Sequence, residues 1–354
     1  MAEGTQKKKN SNIYWVIGVL IVVAVILAVA LGARKSSATE PYQESYQAMG
    51  TVISSTIYGD SQKKAGKISD ECKDEIDRLE KEDISWRIKG SDVWNINHYD
   101  KATVDPATAQ AIKQCLDVAA HADGNYDITI GKLTTLWNIG TDKARLPSQS
   151  EIDRALPYVD WHKVKVNGNE VSVGKGQFLD LGGIGKGYAA DKCAQIMKKN
   201  NAVGGAVAVG GSIALYGKNP SRSDGSWNIG IQDPKGTHNE TCMTFKTGPC
   251  FVSTSGDYEK VLEVNGKKYH HILDPRTGYP AKTDVTSVTI VCNNGALSDA
   301  LATSCFMYGY NQKSLDLLKH YNAEAVFIKK DGSIYATPGI KDKLQITNAN
   351  YHFA

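Results

Sequence analysis

The chain has 354 residues, 41% hydrophobic and 22% charged, with 33 glycines and 10 prolines. Such proportions exclude a collagen-like, coiled-coil or largely disordered protein. Its 41 basic and 38 acidic residues leave a net charge of +3, and without Lys7, Lys8 and Lys9 the remainder is neutral, so there is no basic footprint for nucleic acid.

Residues 13–32 contain no charged side chain and are mostly Val, Ile, Leu and Ala. At about 1.5 Å per helical residue they span roughly the 30 Å of a bilayer core. Tyr14 and Trp15 stand where an interfacial aromatic belt would lie, directly after the lysine triplet. The expectation is a cytoplasmic basic tail (1–12), one transmembrane anchor (13–32) and everything beyond on the extracytoplasmic side of the cell membrane. A cleaved signal peptide is the alternative, because Ala28-Val29-Ala30 has the A-x-A form. Both readings export the domain. No cysteine lies near the end of the segment, so a lipid-modified N-terminus is not expected.

A polar linker (33–42) leads into a single domain over 43–354. Residues 46–58 are β-rich. Residues 63–81 read as a helix, with Ile68, Cys72, Ile76 and Leu79 close to a 3–4 spacing. Asp105 and Pro106 open a second helix as N-cap and first position, running to about His121. Ser148 and Glu151 form a capping box for a third. Asn167-Gly168, Asn265-Gly266 and Asp331-Gly332 each stand between β-branched runs and signal hairpins. Further helices are expected at 187–199, 297–307 and 312–321, and strands at 205–216, 227–231, 244–253, 286–291 and 325–328. Hairpins outnumber β-helix-β crossovers, which favours an α+β fold of mainly antiparallel sheet with packed helices, behind one N-terminal transmembrane helix.

The seven cysteines show no C-x-x-C pair, so neither a zinc framework nor a disulfide scaffold is indicated. Cys72, Cys115, Cys193 and Cys305 fall on apolar helix faces as small hydrophobes. Pairing of Cys242 with Cys250 across a hairpin is the minority alternative.

Three motifs carry chemistry. The run LDLGGIGKGYAAD (179–191) brings a strand-like segment into four glycines and Lys186, then into a helix. Backbone N–H groups, a helix N-terminus and a cation are the ingredients of a phosphate cradle. It is no P-loop, because Gly187 follows the lysine. No acidic residue stands about 20 positions on to complete a dinucleotide fingerprint, which disfavours a Rossmann oxidoreductase. The plain alternative is a glycine-rich turn with a solvated lysine. In SDALAT (298–303) the Asp299 carboxylate and the Thr303 hydroxyl lie one turn apart on one helix face, a pair of hard oxygens suited to Mg2+. The plain alternative is that Ser298 or Asp299 caps the helix and Thr303 packs. In HHILDPRTGYP (270–280) a strand ends at an Asp-Pro turn, and alternation sends His270 and His271 to opposite faces. One of them, with an ordinary pKa near 6.5, can serve as a general base; the alternative is a surface histidine beside a turn. Cradle, metal carboxylate and base together are the parts for phosphoryl transfer.

With Met49-Gly50-Thr51, Asn125-Tyr126-Asp127, Leu136-Trp137 and Thr254-Ser255-Gly256-Asp257-Tyr258, these motifs resemble the ApbE family of FAD:protein FMN transferases, in the family's order over roughly residues 44–340. The resemblance implies an exported Mg2+-dependent enzyme that binds FAD, transfers FMN to a Thr or Ser hydroxyl of a partner protein and releases AMP. Partners of this kind are FMN-binding subunits of membrane redox complexes. A relative that mainly hydrolyses FAD to FMN and AMP, or a flavin-binding membrane protein without turnover, are the alternatives; the second has no need of Asp299, Thr303 and His271. The resemblance further implies flavin contacts at Met49, Trp86, Asn97, Asn125, Tyr126, Asp127, Asp180, Lys186, Thr254, Ser255 and Ile272. It implies metal ligation by Asp299, Thr303 and a glycine carbonyl, with Gly183 preferred over Gly185, and catalysis by His271 and Lys186. Gly185 replaces the alanine common before the lysine in the family.

Overall fold

The computed structural model describes residues 40–237 and 239–354, so the expected tail, membrane span and nearly all of the linker lie outside the described residues. Among the described residues no helix is long and apolar enough to cross a membrane.

Nine strands form one sheet, and their spatial order is their chain order: Tyr42–Ala48, Thr51–Tyr58, Gly204–Val209, Ser212–Gly217, Cys250–Gly256, Val285–Cys292, Glu324–Lys329, Ser333–Ala336 and His352–Phe353. All neighbours are antiparallel except the short last pair. The helices and smaller sheets are therefore insertions between consecutive strands of one meander, as the excess of hairpin signals predicts.

The central strands are apolar on both faces because both are covered, and period-2 alternation divides their side chains. Val207, Val209, Ala325 and Phe327 join a core shared with the helices Gln62–Arg78, Pro106–His121, Gly185–Lys199 and Gly295–Tyr308. Their neighbours Ala206, Ala208, Val326 and Ile328 face a second core, completed by Trp227, Ile229, Met243 and Phe245 of a three-stranded sheet.

Two expected strands are each two strands. Residues 205–216 fold back at Gly210-Gly211, where Gly210 has φ 57° and Val209 pairs with Ser212. Residues 244–253 break at Gly248-Pro249, sending Thr241–Thr247 to the small sheet and Cys250–Gly256 to the large one. In the first place a run of buried residues hides the turn, since strands buried on two faces show no polar alternation. In the second, Gly248-Pro249 follows the exposed Lys246 and is a turn signal that the strand expectation passed over. Cys242 and Cys250 consequently belong to different sheets, and both are free thiols. The first helix stops at Arg78 and continues as a π-helical turn, Leu79–Ile84, in place of α-helix to residue 81. The short helices Asp92–Tyr99 and Gly131–Trp137 had no expected counterpart.

Candidate functional site

The site grows from the glycine turn. Ahead of it, the Asn97 side-chain amide clamps Leu179, accepting from its N–H at 2.6 Å and donating to its carbonyl at 3.0 Å. Asp180 donates its N–H to the Ile128 carbonyl at 2.7 Å, and its Oδ1 accepts from Gly182 N at 2.8 Å. The chain is thus fixed before it enters the Gly185–Lys199 helix.

That helix meets the Gly295–Tyr308 helix at a glycine–glycine contact. A Cβ on Gly187 would collide with the Gly295 carbonyl and lie 2.8 Å from Asp299 Cβ, and one on Gly295 would collide with the Gly187 carbonyl. Close backbone approach puts the Asp299 carboxylate at the start of the neighbouring helix, where Oδ2 accepts from Gly187 N at 3.0 Å. Neither Ser298 nor Asp299 caps its own helix; Asn294 does so, accepting from Leu297 N at 2.8 Å. Gly187→Ala should therefore force the helices apart, at about 1–3 kcal/mol or more for overpacking. Thermal denaturation checks this, and an unchanged melting temperature would contradict the close crossing.

Asp299 is 1% exposed, and its Oδ1 faces Lys186 Nζ at 3.4 Å. Lys186 is not the solvated lysine of the plain reading: its side chain is 26% exposed. Burial opposes its charge, but Asp299, then Glu259 and Asp180, outweigh that and hold its pKa above the ordinary lysine value. The Thr303 hydroxyl makes no hydrogen bond within the described residues and lies 3.6 Å from where a Cβ on Gly183 would stand. A Cβ on Gly185, by contrast, would stand 3.0 Å from Ile84 Cδ1 and 3.5 Å from Met49 Cε, so an alanine methyl would fit only tightly here. As the first helical residue, Gly185 also commits its carbonyl to the helix ladder, whereas Gly183 lies outside the helix. Asp299 Oδ1 and the idle Thr303 hydroxyl, one helical turn apart, with the Gly183 backbone beside Thr303, are hard oxygens of the kind that could hold Mg2+. Among the described residues no group of three or more His, Cys, Asp or Glu is arranged to hold a metal, so such an ion would rest on one carboxylate.

His270 and His271 do diverge. His270 Nε2 lies 3.0 Å from the Ala281 carbonyl and its ring stands edge-on to Phe306, whereas His271 sits in the field of Lys260 and Lys186. His271 is not the surface histidine of the plain reading, and its pKa is not ordinary. Burial first, then Lys260 and Lys186, push it down to about 3, and its Nδ1 is buried without a partner. The ring is held neutral, but so low a pKa makes it a weak proton acceptor until negative charge beside Lys186 and Lys260 offsets their field.

Other expected contacts divide into two groups. Met49 takes the left-handed conformation at φ 52° in the turn between the first two strands, its N–H bonded to Glu80 Oε2 at 2.8 Å, and reaches Gly185. The Tyr126 ring lies 3.0 Å from a Cβ on Gly183, and Asn125 donates to the Ser304 carbonyl at 3.0 Å, next to Thr303. Asp180, Lys186, Met49, Asn125 and Tyr126 therefore surround the Asp299–Thr303 turn. Trp86 stands farther out, stacked under the Arg87 guanidinium at 3.8 Å and edge-on to Phe178. Ile272 is buried beside His271. The Asp127 carboxylate is turned elsewhere, accepting from Thr129 N and Oγ1 and from Trp161 N, so its side chain fastens a loop. Thr254 bonds Thr289 across the large sheet at 2.9 Å, and Ser255 is buried on the same strand. Sequence reasoning missed Glu259 and Lys260, which act electrostatically on Lys186 and on each other. Their only signal was their position directly after the Thr254–Tyr258 motif.

A helix-borne carboxylate and lysine beside a glycine turn, on an antiparallel α+β domain, define a protein built to handle phosphoryl groups. The chain belongs to the ApbE family, whose model matches residues 49–327. The FAD:protein FMN transferase of Treponema pallidum (strain Nichols) is 31% identical over 372 aligned residues, covering 97% of this chain and 99% of that protein. The FAD:protein FMN transferase of Salmonella typhimurium is 28% identical, with 82% and 84% covered. Among solved structures, the ApbE protein of Thermotoga maritima superposes with a TM-score of 0.79 at 31% identity, covering 86% of this chain and 99% of that one. The flavin transferase ApbE of Vibrio cholerae shares the fold, with a TM-score of 0.73 at 24% identity over 86% of this chain and 99% of its own.

Proposed function

We propose that this chain is an FAD:protein FMN transferase that moves the FMN half of FAD to a Thr or Ser hydroxyl of an extracytoplasmic acceptor protein and releases AMP. The observation that carries the reading is the pair of buried Asp299 and partly exposed Lys186 at the glycine turn, 3.4 Å apart.

In this reading the pyrophosphate of FAD lies against the N-terminus of the Gly185–Lys199 helix, with Lys186 on its charge. Met49, Trp86, Asn97, Asn125, Tyr126, Asp180 and Ile272 line the flavin side. Thr254, Ser255 and the Asp127 backbone shape its walls. Asp299, Thr303 and the Gly183 carbonyl would hold Mg2+, which supplies neutralisation of the phosphate charge. His271 takes the proton of the acceptor hydroxyl, whose oxygen bonds to the FMN phosphorus while the bond to the AMP phosphate breaks. Transfer beats hydrolysis only if the acceptor is positioned better than water, which requires a docking surface around the glycine turn.

Turnover is tested by following AMP released from FAD. Release that requires Mg2+ and stops with EDTA is expected; EDTA-insensitive release would contradict the metal. The uncharged run at 13–32 supports a membrane-anchored, exported domain. Protease added to intact cells should accordingly digest the domain beyond residue 40, and protection until the membrane is broken would contradict export.

A further inference from the structure

Asp191 ends the glycine-turn motif, and the activity outlined above gives it no task. Its carboxylate lies on the Gly185–Lys199 helix but bonds to the other helix, accepting from Gly295 N at 2.8 Å and Ala296 N at 2.7 Å. In return, Asp299 on the Gly295–Tyr308 helix accepts from Gly187 N at 3.0 Å. A carboxylate of the neighbour therefore holds one first-turn donor of the Gly185–Lys199 helix and two of the Gly295–Tyr308 helix, on either side of the glycine–glycine contact.

This exchange is more than capping requires. The Gly295–Tyr308 helix already has Asn294 on Leu297 N, and the donors at Gly295 and Ala296 could face water if the helices stood further apart. Burial raises the Asp191 pKa, while the two N–H bonds oppose that rise. Two bonds from one planar carboxylate fix both distance and rotation, as a single bond cannot. Both metal-side oxygens, Asp299 Oδ1 and the Thr303 hydroxyl, ride on the helix so fixed, whereas Lys186 and Gly183 belong to the other segment.

We infer that Asp191 is a positioning residue for the transfer reaction, setting the register in which the oxygens of one helix meet the glycine turn of the other. The inference rests on the Mg2+-dependent transferase reading. Asp191→Asn keeps the size and one acceptor but turns an amide donor toward a second donor. Loss of the fixed register should weaken the metal site first, as for other groups that orient ligands without touching the ion, by about tenfold or more.

The test measures FMN transfer by the full chain against Mg2+ concentration and, without FAD, Mg2+ binding to the same chain by calorimetry. In the binding measurement Asp191→Asn should bind about tenfold more weakly, and unchanged binding would overturn the inference. Asp191→Asn should need about tenfold more Mg2+ for half-maximal rate, recover most of kcat at high Mg2+, and keep its KM for FAD within about threefold. Asn294→Ala, which removes the helix's own cap, should lower thermal stability and leave the Mg2+ requirement unchanged. An Asp191→Asn enzyme with the wild-type Mg2+ profile, a rate loss that no Mg2+ restores, or equal shifts in both variants would overturn the inference. If Asp191→Asn does not fold, Asp191→Glu keeps charge and both oxygens one methylene out of place, and the same shift and the same contradiction apply. A wild-type enzyme that needs no divalent cation would instead overturn the transferase reading of the metal, and this inference with it.

Discussion

Asp299→Ala is expected to lose about 10²–10³-fold in kcat, the scale for removing one group that stabilises transition-state charge, here the cation that the carboxylate would hold. Three facts converge on that carboxylate. It is 1% exposed, so its charge is tolerated only through its partners; one oxygen is held by Gly187 N; the other faces Lys186 at 3.4 Å. Truncation removes the anionic ligand and also leaves Lys186 without its main counter-charge. Asp299→Asn separates the two effects, since the amide oxygen can still accept from Gly187 N while the charge is gone. It should fold as wild type and remain nearly inactive. Thr303→Ala should cost less, because a neutral hydroxyl contributes less to holding a cation. Full transfer by Asp299→Ala, with EDTA present, would contradict the assignment.

His271→Ala is expected to lower transfer by about 10²–10⁴-fold, the range for removing a general base. FAD affinity should stay within a few-fold, because Lys186 and the helix N-terminus hold the phosphates. His270→Ala should do much less, since that ring packs against Phe306 and the Ala281 carbonyl. With its pKa pushed down to about 3, His271 should remain neutral in an NMR titration through pH 5, and a ring titrating near 6.5 would contradict its placement. The sign for stability follows. Between about 6.5 and 3 the unfolded ring binds a proton that the folded ring refuses, so stability falls as pH drops through that window. Equal losses in the two single mutants, or a His271→Ala enzyme that transfers normally, would mean that this histidine is no base.

The residues gathered at the candidate site were legible because they sit in short runs whose local geometry is fixed. Glycines before a helix, an i,i+4 pair and a strand-ending turn each keep their meaning without tertiary knowledge. The hairpin count gave the antiparallel class for the same reason. The turn at Gly210-Gly211 was not legible, because it lies between strands covered on both faces, where polar alternation vanishes. Gly248-Pro249, beside the exposed Lys246, carried a turn signal that the strand expectation passed over. The depressed pKa of His271 was equally hidden, because Lys260 and Lys186 reach it only through the fold. The Asp191–Gly295 and Asp299–Gly187 exchange spans more than 100 residues of chain, and neither partner's spacing announces it. Asp127 shows the reverse case, a motif residue whose carboxylate serves a loop.

Incubation with FAD, Mg2+ and an FMN-binding subunit of a membrane redox complex, followed by intact mass of that subunit, tests the central claim most directly. The acceptor should gain the mass of one FMN less one water, with one AMP released per event, and the gain should be lost on chelation and in Asp299→Ala. FAD consumed to free FMN and AMP with the acceptor's mass unchanged would contradict transfer and leave a pyrophosphatase.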